Sequence, residues 1–413
     1  MQTKYLRILK QRSFFLLWLG QIVSQFGDRL TQIALVGLVS RISMSSTSLA
    51  LIMSMAVIPV FIVSPISGVY VDRWSKRKTM YISDLLRCIF ILLIPLCFLK
   101  CNLLLPVYIL IFLSFGAGKF FVPAKMAFIP EITDKEDLFL ANSLISVTAT
   151  VAAVIGFGLG GIIVEKYGAV RAFQLDAMTF LISALAVFFI SVNEKGKFLV
   201  KDILHLGKDV VTTVKKSFIW EFKEGIKYIL KASETRYAFK IYLFLFSYIG
   251  GLYVVFIRFV QETLSTVTKD LGFITVSLGA GIFLGSLMYG RLAHRFNIKK
   301  IINLSVLFSS LFLIFFVLTL RIHPVTFYAV FLSFFLGLVT SPVFVGVNVL
   351  IHRDSDREVL GRIFSGLEFT SHLGFLVFMF LCSILADIFS PFTIIVSLGI
   401  IGSLLALLFF RYD

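Results

Sequence analysis

The chain alternates long apolar stretches with short polar connections along most of its length. A helix needs about 20 apolar residues to cross the hydrocarbon layer of a bilayer, and the pattern predicts twelve such helices. One longer polar segment separates six predicted spans from the next six. The predicted spans are residues 14–39, 48–71, 79–99, 104–124, 139–164, 172–192, 238–260, 272–291, 301–320, 325–350, 364–386 and 391–410.

The composition fits a chain surrounded by lipid. Of the 413 residues, 58% are hydrophobic and 15% are charged, whereas soluble domains average about 45–50% apolar and about 25% charged residues. The net charge of +16 would suggest nucleic-acid binding in a soluble protein. In a membrane protein the excess of lysine and arginine belongs in cytoplasmic loops, so we expect no nucleic-acid partner.

Lysine and arginine are concentrated on one side of the predicted spans. If the N-terminus is cytoplasmic, that side receives the basic N-terminal residues, the cluster at 73–78 and the lysine-rich segment 195–236. The other side receives isolated basic residues. The positive-inside rule then predicts a multi-pass protein of the cell (inner) membrane with both termini in the cytoplasm.

The spans form two related halves. We predict an N-terminal six-helix bundle (1–192), a cytoplasmic linker (193–237) and a C-terminal six-helix bundle (238–413). Helical spacing of apolar residues in the linker predicts an amphipathic helix at the membrane surface: Phe218, Phe222, Ile226 and Ile229. Five identities between the fourth and tenth spans fall at one offset of 219 residues: Leu113, Ser114, Phe115, Gly118 and Pro123 match Leu332, Ser333, Phe334, Gly337 and Pro342.

A motif follows the second span. It resembles the Gly-x-x-x-Asp-Arg-x-Gly-Arg-Arg loop of the major facilitator superfamily, with Ser75 in place of the second glycine. The matching residues are Gly68, Asp72, Arg73, Lys76 and Arg77. With the repeated halves, this resemblance covers nearly the whole chain. It implies an all-α fold of twelve transmembrane helices, a substrate site near the midplane between the halves, alternating access, and a cytoplasmic gating role for the loop. We expect Gly68 to permit close helix approach.

Shorter motifs suggest a branch of that superfamily. A glycine run in the fifth span resembles the antiporter motif Gly-Pro-x-x-Gly-Gly, with Phe157 in the proline position; helix packing is the alternative that we favour for it. The run comprises Gly156, Gly158, Gly160 and Gly161. Segments within 123–144 and 360–365, together with Gly27 and Asp28, resemble the efflux branch that includes macrolide and siderophore exporters. The first of these segments and the glycine run are also similar to bacterial lysophospholipid transporters.

Charged and amide side chains within the first span form the strongest candidate site. Gln21, Gln25, Asp28 and Gln32 lie within a stripe roughly 60° wide on a helix that turns about 100° per residue. Such a stripe should face other helices or a watery cavity, because polar groups facing lipid are costly. We interpret Asp28 as a contact for a proton, a cation or the substrate. The alternative is a polar seam in which Asp28 pairs with a basic residue such as Lys119.

Other intramembrane polar residues give weaker candidates. Glu368 and His372 share a helix face and could exchange a proton near neutral pH, or could serve gating. Arg258 could attract an anionic group, or its side chain could extend to the outer interface. Asp84 and Arg87, three residues apart, are expected to pair with each other, and Asp176 is expected to accept hydrogen bonds.

These features predict a secondary transporter and not an enzyme. The sequence has no Gly-x-x-x-x-Gly-Lys-Ser/Thr phosphate loop, so an ion gradient, with protons the expected ion, would drive export of a small amphipathic molecule. A lysophospholipid flippase is the alternative. A membrane-embedded enzyme is a third and weaker one, because the five histidines are scattered. We expect a monomer in the lipid bilayer, without cofactor or metal.

Overall fold

The computed structural model describes residues 7–101, 104–191, 233–292, 297–354 and 360–411. The described residues form long α-helices and one short 3₁₀ turn, Lys135–Asp137, and contain no strand. The helices are α1 (Arg12–Ile42), α2 (Ser46–Ile62), α3 (Ser64–Arg73), α4 (Lys76–Cys101), α5 (Leu104–Ile132), α6 (Leu138–Tyr167), α7 (Ala169–Phe188), α8 (Ser233–Leu264), α9 (Lys269–Leu292), α10 (Ile298–Ile322), α11 (Thr326–Asp354), α12 (Leu360–Ile388) and α13 (Pro391–Arg411).

Ten of the described helices, α4 to α13, are long and apolar enough to cross a membrane. The first two predicted spans correspond to α1 and to α2 with α3. In α1 the polar stripe lowers the mean hydropathy, although the helix has 31 residues. The second span is interrupted at Val63, between Pro59 and Pro65. Because proline lacks the N–H that continues a helix, these two residues account for the break.

The chain divides into two compact units. Unit 1 contains Met1–Leu38 and Ile52–Phe218, and unit 2 contains Val39–Leu51 and Ile219–Asp413. A buried apolar cluster in unit 1 includes Phe14, Leu17 and Phe128. A second cluster, in unit 2, includes Ile241, Val306 and Val347.

The two units use the same helix pairings. In unit 1, α4 packs against α5 and α7; in unit 2, α10 packs against α11 and α13. By position in the predicted order, these are spans three, four and six and spans nine, ten and twelve. The pairing agrees with the repeat predicted from the sequence. The predicted amphipathic helix of the linker lies outside the described residues, and the predicted domain boundaries stay predictions.

Small residues allow close helix packing in unit 2. A side-chain carbon on Gly281 of α9 would overlap the carbonyl oxygen of Phe334, and one on Gly337 of α11 would overlap that of Leu278. Helix association within lipid depends on such close backbone approach, because burial from water provides no driving force there.

Candidate functional site

The polar stripe of α1 lines a cavity inside unit 1. All four side chains of the stripe contribute to its wall, and α4 and α5 complete it. The cavity has a volume of about 270 Å³. Its lining residues are Gln21, Ser24, Gln25, Asp28, Arg29, Gln32, Arg87, Phe115, Gly118, Lys119, Phe121, Val122 and Lys125.

Asp28 forms an ion pair with Arg87 at the wall of this cavity. An Arg87 guanidinium nitrogen donates a short hydrogen bond to the Asp28 carboxylate. The Asp28 side chain is 24% exposed and that of Arg87 only 9%. The guanidinium also lies 3.9 Å from the centre of the Phe180 ring, a cation–π arrangement. Arg87 is thus held by two helices besides its own.

The expected pairing of Asp84 with Arg87 is only partly correct. Their closest charged atoms are 3.9 Å apart, which is too long for a hydrogen bond. Arg87 instead makes its hydrogen bond to Asp28 of α1. Asp84 is fully buried on the other side of the guanidinium. The Arg87 guanidinium therefore lies near two carboxylates, those of Asp28 and Asp84.

A glycine brings α1 close to α7 beside the ion pair. A side-chain carbon on Gly27 would overlap both Thr179 and the Asp176 carboxylate. Asp176 is fully buried and accepts a short hydrogen bond from the Thr31 hydroxyl and one of 3.0 Å from Thr179. This agrees with the expectation that Asp176 is a hydrogen-bond acceptor.

Two further basic residues contribute to the same wall. The Lys125 ammonium donates a 2.7 Å hydrogen bond to the Gln21 side-chain oxygen, and Lys125 is buried. Arg29 donates a 3.1 Å hydrogen bond to Gln32 and lies 5.3 Å from the centre of the Phe157 ring. Two glutamines of the stripe are therefore acceptors for buried or half-buried cations.

The glycine run of α6 lies against α1. A side-chain carbon on Gly156 would come within 2.9 Å of the Phe26 carbonyl oxygen, and one on Gly160 would contact Leu30 at 3.4 Å. Gly158 and Gly161 are buried in the same helix. The contacts of Gly156 and Gly160 are of the kind that the packing interpretation requires.

The loop motif is attached to the rest of unit 1. Arg77 donates to the carbonyl oxygens of Phe188 and Ile190, at 3.3 and 2.6 Å, where α7 ends. The Lys76 ammonium lies 3.8 Å from Glu131, and Arg73 is exposed. Gly68 differs from expectation: among the described residues, a side-chain carbon there would meet no atom within 4 Å. The close helix approach predicted for Gly68 is therefore not seen, and the Asp72 side chain lies outside the described part of the structure.

Arg258 lies in unit 2, and its side chain reaches the segment between α1 and α2. It is fully buried and donates hydrogen bonds to the carbonyl oxygens of Ser43 and Ser45, which belong to the same unit. It also donates a 3.1 Å bond to Gln261. The two terminal guanidinium nitrogens donate these bonds because the segment between α1 and α2 presents its main-chain carbonyls to this side chain, whereas Nε has no hydrogen-bond partner among the described residues.

Glu368 and His372 lie one turn apart on α12, also in unit 2. The His372 ring nitrogen Nδ1 lies 2.8 Å from the main-chain oxygen of Glu368, and Glu368 is exposed. This imidazole nitrogen thus contacts the backbone and not the carboxylate that the sequence pattern suggested. These two residues and Arg258 belong to a different unit from the cavity residues.

The candidate site predicted from the sequence leaves out all four basic residues of the wall. The sequence pattern places Lys125 in a motif, pairs Arg87 with Asp84, offers Lys119 as a partner for Asp28 and does not single out Arg29. A usable signal was present for two of them. Arg87 lies inside the predicted third span and Lys125 directly follows the predicted fourth span, and charged residues at membrane depth face protein or a cavity.

Comparisons with known proteins agree with the architecture. Residues 4–365 match the family described as transmembrane secretion effector. The chain is 27% identical over 369 residues to the putative bacilysin exporter BacE of Bacillus subtilis (strain 168), covering 87% of this chain and 85% of that protein. It is 21% identical over 384 residues to macrolide efflux protein A of Streptococcus pyogenes, covering 91% and 89%.

A solved structure shares the fold. The crystal structure of a bacterial homologue of the iron transporter ferroportin, in the inward-facing state, superposes with a TM-score of 0.71 and covers 96% of this chain and 98% of that one. Identity is 12%, so this likeness concerns the fold alone.

Proposed function

The chain belongs to the transmembrane secretion effector family of major facilitator transporters, and we propose that it uses an ion gradient to export a small amphipathic molecule. The family and the relatives described above are multi-pass membrane transporters, not enzymes. Two of those relatives are named as exporters, one of bacilysin and one of macrolides. Export is therefore favoured over the lysophospholipid alternative, which has no comparable support.

The Asp28–Arg87 pair carries the coupling proposal. Asp28 is partly exposed to a cavity while its partner is almost entirely buried. Addition of a proton to Asp28 would cancel its charge and release Arg87 from the ion pair. Arg87 would then be attracted to Asp84, whose carboxylate lies 3.9 Å away on its other side. A proton would thus exchange one ion pair for another, which is a two-state change of the kind that coupling requires.

The proposed energy source is sufficient for accumulation. One charge that moves through a potential of 100 mV yields about 2.3 kcal/mol. That free energy supports a concentration ratio of roughly fifty, since each 1.4 kcal/mol is worth a factor of ten. We propose the cell membrane as the location, with both termini cytoplasmic and the loop motif at Gly68–Lys78 on the cytoplasmic side. The basic loops support this orientation.

Transport by the purified full chain in proteoliposomes tests the proposal. An imposed proton gradient should drive uphill flux of at least one member of a panel of small amphipathic solutes. Asp28→Asn should abolish the gradient-driven part while leaving exchange at equilibrium. Arg171→Gln, an exposed change outside the cavity, serves as the control. Unchanged gradient-driven flux in Asp28→Asn would remove Asp28 from coupling, and flux that is indifferent to every ion gradient would overturn the coupled mechanism.

A further inference from the structure

The charges around the unit 1 cavity favour one sign of ligand. Four basic side chains and one carboxylate line its wall: Arg29, Arg87, Lys119, Lys125 and Asp28. The wall thus has a formal excess of three positive charges. Asp84 and Asp176 lie buried behind it, near enough to interact electrostatically with Arg87. Even with both of these ionised, the excess remains one positive charge, so the cavity is unsuited to a solely cationic ligand.

The wall can also hydrogen-bond to an anion. Within the described residues, the Nε atoms of Arg87 and Arg29 are buried, so the donors available to a ligand are the terminal nitrogens of these two guanidinium groups. The planar guanidinium also matches the two oxygens of a carboxylate or phosphate. Arg87 already holds a carboxylate, that of Asp28, so the geometry for binding an anion exists in the structure.

The rest of the wall and the cavity size restrict the ligand further. Phe115, Phe121 and Val122 supply an apolar side. Pockets for drug-sized ligands have volumes of about 300–1,000 Å³, so a cavity of about 270 Å³ suits a small molecule or the polar end of a larger one. The glutamines of the stripe can hydrogen-bond to additional polar atoms near the charge.

We propose that this cavity binds an anionic group of the substrate, a carboxylate or phosphate carried on a small apolar body. The anion binds Arg87 and Lys125 and displaces the Asp28 carboxylate from Arg87. The assignment of this anion as the exported cargo rests on the proposed function; the binding itself does not. Asp28 is then a competitor of the substrate for Arg87, because both present an anionic group to the same guanidinium.

Binding of matched probes to the full chain in detergent tests this assignment. The probes share a naphthalene ring and differ in their polar group: 1-naphthylacetate, 1-naphthylmethylammonium and 1-naphthylmethanol. We expect thermal stabilisation by the acetate and none by the other two. A separate binding measurement uses lysophosphatidylglycerol, whose anionic group belongs to a lipid. Binding of that lipid alone, with the same dependence on Lys125, would place the anionic group on a lipid instead of a soluble molecule.

Two variants with opposite expected effects separate binding from folding. Lys125→Gln removes a cation from the wall and should weaken binding of the anionic probe about tenfold. Asp28→Asn removes the competing carboxylate and should strengthen it about tenfold, an effect that damage to the fold would not produce. Arg171→Gln should leave affinity unchanged. Preference for the ammonium probe, or weaker anion binding in Asp28→Asn, would overturn the assignment.

Binding and transport fail in distinguishable ways. If the anionic probe binds as described and no solute is driven by any gradient, the anion site stands and coupled export is wrong. If a cationic solute is exported uphill while the anionic probe does not bind, coupled export stands and the anion site is wrong.

Discussion

Phe115 and Gly118 in α5 correspond to Phe334 and Gly337 in α11 by the 219-residue repeat. The surroundings of the two pairs nevertheless differ. In unit 1, Phe115 and Gly118 line a polar cavity, and a side-chain carbon on Gly118 would lie 3.5 Å from the Arg87 guanidinium. In unit 2, Gly337 lies directly against the backbone of α9. The same local sequence thus permits a charged side chain in one unit and close helix packing in the other, according to the neighbouring helix.

The two buried arginines follow the same division. Arg87 in unit 1 lines the cavity and lies within 4 Å of two carboxylates, those of Asp28 and Asp84. Arg258 in unit 2 is fully buried and donates hydrogen bonds to main-chain carbonyls, to Gln261 and to the Met44 sulfur. A charge inside a membrane protein is therefore best interpreted from its partners: titratable side chains beside a cavity suggest function, and main-chain carbonyls suggest a structural role.

Alanine substitution at Gly337 and Gly118 should give the largest difference in stability between the two units. Gly337→Ala should destabilise the protein by about 3 kcal/mol, the upper range for overpacking, because the new carbon overlaps the Leu278 carbonyl oxygen. Gly118→Ala is the matched control: its carbon would make an ordinary contact, and alanine is favoured in helices by up to about 1 kcal/mol. Unfolding of both variants in detergent measures the difference. Equal losses would show that the two repeats pack alike.

Arg258→Gln should give the second largest effect. It leaves the half-buried carbonyl oxygens of Ser43 and Ser45 without this donor, and such a loss costs about 1–3 kcal/mol. Arg291→Gln, at an exposed position in the same unit, is the control and should be nearly neutral. The measurement is again unfolding in detergent. A stable Arg258→Gln protein with altered substrate affinity would instead make Arg258 a binding residue and remove the contrast with Arg87.

Arg77→Gln should have the smallest effect. It removes a cation and donor from the end of α7, where basic residues stabilise a helix by about 0.3–1 kcal/mol. Hydrogen exchange of the last amides of α7 should accelerate, while exposed Arg73→Gln should leave those amides unchanged. Protection that is identical in both variants would mean that the bonds to Phe188 and Ile190 contribute nothing measurable, and that the motif acts outside unit 1.

The fold class could be predicted from the sequence because lipid imposes a simple pattern. Apolar length predicts spans, and the fixed offset between the fourth and tenth spans predicts the repeated helix pairings. The stripe of α1 was also predictable, since helical periodicity places Gln21 and Gln32 on one face. The break at Val63 was not predicted, although the prolines that flank it are visible in the sequence.

The partners of the stripe could not be predicted in the same way. Arg87 is three residues from Asp84, and local spacing alone favours that pair. Its hydrogen bond to Asp28 depends on how closely α1 approaches α4, which is a property of packing. Likewise, the burial of Arg258 depends on carbonyls more than 200 residues earlier in the chain.

The contact at Gly27 also limits how this transporter could acquire a new cargo. Because Gly27 fits against Asp176 and Thr179, and Thr31 is bonded to Asp176, α1 cannot turn about its axis to present other residues to the cavity. Selection for a different substrate should therefore exchange the side chains at positions 21, 25, 28 and 32 and keep glycine at 27. The orientation of α1 is thus fixed, and we expect its substrate-contacting surface to change by substitutions at single positions.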